Sequence, residues 1–134
     1  MSLLDPAQRT ARGLALQAEV TGQRHPRPAT LLDESWRDFV YAEVWNRPGL
    51  DRRSRYLISL ASAAMSNGST AILDGYVRGA LAGKELTLGE LREAALHLAV
   101  YGGWSRATEL DMAITRVADA LGLEPVALEP IRGE

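Results

Sequence analysis

The apolar positions of the chain fall into six stretches with helical spacing, and none shows the strict alternation of a strand. The first opens at Asp5-Pro6, carries Ala11, Leu14, Ala15 and Ala18 as a modest stripe, and ends at Gly22. Gln8, three residues after Asp5, fits a capping box. The second runs from Thr30 or Asp33 to Asn46, with Trp36, Phe39, Val40 and Val44 spaced for one apolar face. The third, Asp51 to Ser66, carries Leu57, Ile58, Leu60, Ala61, Ala64 and Met65; a helix apolar nearly all round is expected to be buried. The fourth starts at Ser69 or Thr70 and runs to Ala82, with Ile72, Leu73, Tyr76, Val77, Ala80 and Leu81 on one side. In the fifth, Thr87-Leu88-Gly89-Glu90 reads as a capping box ahead of Leu91, Ala94, Ala95, Leu98 and Ala99. In the sixth, Ser105 is the expected cap, and Ala107, Leu110, Ala113, Ile114, Val117 and Leu121 face inward before Gly122.

Between these stretches lie breakers with a physical meaning. Residues 23–30 hold two prolines and read as a linker, with His25 in it. Pro48-Gly49 makes a turn and Asp51 stands where the next helix needs its cap. Asn67-Gly68 stops the third helix, and residues 123–134 read as a tail ordered only against a partner. Gly75 and Gly79 lie four apart within a helix, where each costs about 1 kcal/mol relative to alanine. Close approach of another backbone explains such a pair, and a ligand close to the helix is the sharper alternative.

Composition narrows the possibilities. With 134 residues the chain is expected to be one domain, its core at about 31–121, preceded by the first helix and linker and followed by the tail. A formal charge of −2 and a pI near 5.7 give no electrostatic case for nucleic acid or an anionic membrane. There is no cysteine, so disulfides, thiolate metal sites and thiol redox cycles are excluded. No segment approaches the ~20 apolar residues of a membrane span, and the N-terminal stretch lacks the apolar run of a signal peptide. A cytoplasmic protein is the expectation. Glu93 and His97, at i and i+4, are read as a surface ion pair; two ligands without a third give no metal site.

Several motifs in order then carry a resemblance. They are Glu43-Val44-Trp45-Asn46-Arg47-Pro48-Gly49-Leu50, Arg52-x-x-Arg55, Tyr76-Val77-Arg78-Gly79-Ala80-Leu81, Leu86-Thr87-x-x-Glu90-x-x-Glu93 and Tyr101-Gly102-Gly103. From about Asp33 to Ala120 the chain resembles the carboxymuconolactone decarboxylase family, within the alkylhydroperoxidase D-like superfamily. The resemblance implies an all-α, six-helix fold, a homotrimer or homohexamer with pockets near subunit contacts, and cofactor-independent chemistry on a small carboxylated lactone or related ring-cleavage acid of aromatic catabolism. The peroxidase branch uses a Cys-x-x-Cys ahead of a histidine; here those positions read Ser69, Ile72 and Tyr76. The decarboxylase branch keeps that histidine, and Tyr76 stands in its place.

On that resemblance the catalytic candidates are Glu43, Arg55 and Tyr76. Arg55 has the forked donors that hold or polarise oxygen anions. Glu43, beside an apolar face, suits an acid or base if burial raises its pKa, whereas an ion pair with Arg55 would lower it and simply join two helices. Tyr76 suits a proton donor or an oxyanion hydrogen-bonder, and is a poor base at neutral pH. Trp45, Glu93, Tyr101 and Trp104 are the expected substrate-binding residues, the aromatic ones as core or pocket wall. The rival reading is a binding or assembly protein on the same scaffold, with its chemistry lost or altered at Tyr76.

Overall fold

The structure, a computed structural model, describes residues 3–66 and 68–133. It is all-α, with six helical segments in the order expected: α1 (Pro6–Thr21), α2 (Leu31–Val44), α3 (Arg52–Met65), α4 (Thr70–Ala82), α5 (Leu88–Gly102) and α6 (Trp104–Ala120). No helix among the described residues is long and apolar enough to cross a membrane. The expected stop at Asn67 lies outside the described residues; Gly68 follows it directly.

Most boundaries follow from local chemistry. Asp5 accepts from the backbone N–H groups of Ala7 and Gln8 and starts α1. Asp51 accepts from Ser54 N–H and starts α3, and Ser69 caps α4. Thr87 and Glu90 form the full reciprocal box at the start of α5. The start of α6 differs from expectation. Gly103, at φ 94°, occupies the cap position, the helix begins at Trp104, and Ser105 lies inside it. With φ positive at the cap, only glycine turns the chain there without strain.

The second helix carries the main surprise. It is α-helical over Leu31–Ser35 and then winds as a π-helix over Trp36–Val44. Its last bond runs from Trp45 N–H to Val40 O, five residues back, at 2.9 Å. Wider winding changes which side chains share a face. Phe39, expected inward at an α-helical i+3, is 51% exposed, while Tyr41 is 3% exposed and Trp45 is buried.

The core is built from Leu60, Val77, Leu86, Leu91, Leu110 and Ile114, with α4 packed against α1, α3 and α6, and α5 against α6. α3 buries one face through Tyr56, Leu60 and Ala64, whereas Ile58 and Met65 stay exposed in the protomer. α1 docks through backbone contact. A Cβ on Gly13 would fall 2.0 Å from Arg37 O, and one on Gly79 would fall 1.5 Å from Val20 O. The tail is extended, and Ala127–Glu129 lie along the groove between α3 and α5 of the same chain.

Candidate active site

The end of α1 is held by side chains from other helices. Tyr56 Oη donates to Val20 O at 2.7 Å in the buried core, and Arg78 Nη1 donates to Thr21 O at 3.3 Å. These bonds satisfy carbonyls that a helix end leaves without partners. They also fix Thr21, a buried polar residue, beside the linker. The Thr21 hydroxyl donates to Gln17 O at 2.6 Å and lies 2.7 Å from His25 Nε2. The same hydroxyl also lies 3.2 Å from Gln23 O, and the direction of its bond to Nε2 follows the His25 tautomer. His25 is half-buried, and burial, then the Arg78 charge, push its pKa below the usual 6.5.

The π-helical stretch supplies the opposite wall. Trp36 and Tyr41 lie five apart and stack at 6.1 Å between ring centroids; Tyr41 and Trp45 follow at 6.4 Å. Trp45 then stacks on Tyr76 of α4 at 5.8 Å and meets Tyr56 edge-on at 5.1 Å. The phenols of Tyr41 and Tyr76 are neighbours that act on each other's ionisation. Burial raises both pKa values; the neighbouring Tyr76 raises Tyr41 further, and Tyr41 partly restrains Tyr76.

Two adjoining cavities open on this column. One, of about 440 Å³, is lined by Thr21, His25, Arg27, Trp36, Tyr41 and Gly75, among others. The second, of about 330 Å³, includes Tyr76 with Ser59 and Ser62 of α3. Trp36, Ser69 and Ile72 border both. The first is of small-ligand size, with apolar wall from Trp36 and Ile72 and polar wall from Gln17, Thr21 and Gln23. Arg27 and Asp33 are its charged lining groups.

The sequence candidates distribute as follows. Tyr76 borders the smaller cavity and Trp45 stacks directly behind it. Glu43 is half-buried and accepts the Leu4 N–H at 2.8 Å. Arg55 donates through Nε to Leu50 O and through Nη2 to Arg47 O, each at 3.2 Å, across the Pro48-Gly49 turn. Neither borders the two cavities, and among the described residues they make no ion pair with each other. Glu93 and Tyr101 line a different groove, of about 730 Å³, between α3, α5 and the tail, where Arg53 and Glu90 form an ion pair. Trp104 is 70% exposed. His97 packs its ring on Tyr101 at 5.1 Å, and no cluster of three metal-ligating side chains occurs among the described residues. Sequence reasoning missed Tyr41 and Thr21 and read His25 only as part of a linker. The available signal was Tyr41 standing five after Trp36 and four before Trp45.

Comparison with known proteins agrees with this frame. The model of the carboxymuconolactone decarboxylase family matches residues 31–116, from the start of α2 into α6. The 4-carboxymuconolactone decarboxylase of Acinetobacter baylyi is 30% identical over 130 residues, covering 91% of this chain and 96% of that one. Nitrosuccinic acid decarboxylase npaB of Metarhizium robertsii is 39% identical over 77 residues, covering 58% of this chain and half of its own. No solved structure gives a significant match. With a family match across most of its length, the chain belongs to the carboxymuconolactone decarboxylase family.

Proposed function

We propose that the protein is a decarboxylase of a small carboxylated acid, working in the paired cavities beside Trp36, Tyr41 and Tyr76. The observation that carries this reading is the phenol pair: two buried, neighbouring tyrosines, Tyr41 on the wall of one cavity and Tyr76 on the wall of the other. Loss of carbon dioxide leaves an electron pair that must spread onto an electron-withdrawing group of the substrate. A fixed O–H donor at the wall stabilises the oxygen that receives it. Trp36 and Ile72 give apolar wall for the carbon frame of the substrate, and Arg27 brings a cation to the same space for its carboxylate.

Glu43 and Arg55 serve this reading as supports of the framework. Arg55 ties the turn between α2 and α3, and Glu43 anchors the segment before α1. The names of the two relatives suggest the probes, 4-carboxymuconolactone and nitrosuccinate. Carbon dioxide release from either is expected, and Tyr76→Phe should lower kcat by about 10²–10³ with the fold intact. Turnover unchanged in that variant sinks the assignment. A homotrimer or homohexamer is proposed alongside, formed through the apolar side chains that α5 and α6 leave exposed, Leu96, Val100, Trp104 and Met112 among them. Light scattering showing a monomer at micromolar concentration would refute it.

A further inference from the structure

We infer that His25, from the proline linker, is the group that delivers the proton to carbon in this site. The inference rests on the decarboxylase reading and adds the residue that completes its chemistry. Tyr76 can hold an oxygen, but protonating carbon calls for an acid nearer neutrality, and a phenol raised by burial is a weak one. Glu43, the other carboxyl considered for the task, is engaged with Leu4 and borders neither cavity.

His25 meets the geometric requirements. It lines the larger cavity together with Tyr41, the phenol beside Tyr76. Thr21 holds Nε2, as the orienting member of a catalytic pair does, and Thr21 is itself fixed by its contacts with Gln17 O and Gln23 O. No hydrogen bond to Nδ1 occurs among the described residues, so that nitrogen is left to gain and lose a proton without disturbing the Thr21 contact. The charged and titratable groups around it are Arg78 on α4, Arg27 on the linker, Asp33 on α2 and the Tyr41 phenol. Arg78 opposes the imidazolium and makes it a stronger acid, in the same direction as burial.

The step balances. The bond from carbon to the carboxylate breaks and carbon dioxide leaves. The bonding pair stays with the substrate, spread onto the oxygen held by Tyr76. The Nδ1–H bond of the imidazolium then breaks, its proton goes to carbon and its electron pair stays on nitrogen. A solvent proton restores the imidazolium, so the net change consumes one carboxylate and one proton and yields one C–H bond and carbon dioxide.

The chain has only two histidines, His25 and His97, so their ring signals can be followed separately by NMR. In the intact protein His25 is expected to titrate below 6.5, and millimolar succinate, a small dicarboxylate probe, should move its signal but not that of His97. His25→Gln keeps an amide N–H where Nε2 stood but cannot titrate. It should lower kcat about 10²–10⁴-fold, leave KM and the unfolding midpoint near wild type, and remove the inflection below 6.5 from the pH profile. Wild-type kcat in His25→Gln, or a His25 signal indifferent to succinate, overturns the role of His25 while a turning-over enzyme leaves the decarboxylase reading standing. A wild-type protein that releases no carbon dioxide from either acid overturns both.

Discussion

Gly75 and Gly79 occupy successive turns of α4 but meet different neighbours, so replacing each with alanine is expected to change stability in opposite directions. At Gly79 a Cβ would lie 1.5 Å from Val20 O and 2.4 Å from Val20 C. Both are backbone atoms, which cannot swing aside, so α1 would have to move away from α4. Forced overpacking of this kind costs about 1–3 kcal/mol. The same movement pulls Val20 O from the Tyr56 hydroxyl, and a buried acceptor left without its donor costs about 1–3 kcal/mol more. Alanine recovers only about 1 kcal/mol of helix propensity. Gly79→Ala should therefore lose roughly 3 kcal/mol, or on the order of 10 °C in Tm. At Gly75 the nearest atom is Thr21 Cβ at 3.7 Å, an ordinary contact, so Gly75→Ala should gain up to about 1 kcal/mol while narrowing the cavity it lines. Urea unfolding followed by circular dichroism measures both. A Gly79→Ala protein as stable as wild type would refute the claim that backbone contact sets the α1–α4 crossing.

Thr87→Ala removes the acceptor for Glu90 N–H and should cost about 1 kcal/mol in the same unfolding assay. The Arg53 guanidinium beside Glu90 holds that carboxyl down from the usual 4.5 to about 2. A depressed carboxyl adds stability that is present above its unfolded value and lost as pH falls through the folded one. Glu90→Gln should thus flatten the decline in Tm between about pH 4.5 and 2, and an identical decline in both proteins would contradict the pairing. Trp45→Ala removes the ring between Tyr41, Tyr56 and Tyr76 and should cost about 3–5 kcal/mol; a loss under 1 kcal/mol would show the column is not structural.

The helices were legible in the sequence because caps and breakers act locally. Asp5, Asp51, Thr87 and Gly122 each mark a boundary through their own backbone chemistry. The site was less legible because its members meet through two features that spacing does not announce. One is the π winding, since a face read at the α-helical period puts Phe39 inward and Tyr41 aside. The other is the route of the linker, which turns back on Thr21 and so converts a loop histidine into a cavity wall. Glu43 and Arg55 stood out as charges near an apolar face, but hydrogen bonds to Leu4, Arg47 and Leu50 engage them locally. That engagement depends on backbone atoms, which a side-chain pattern does not display.

The winding of Trp36–Val44 means that the phenol reaching Tyr76 is chosen by phase as much as by residue type. A library of substitutions holds chain length constant and so samples side chains at one fixed angle. Inserting or deleting a single residue between Trp36 and Tyr41 with the wide winding kept would bring Val40 or Ala42 into the place of the phenol, whereas a deletion that rewinds the turn to α would leave the phenol one turn from Trp36. Changes in length, rather than in letters, are then the route by which this scaffold would most readily exchange one wall of its site for another.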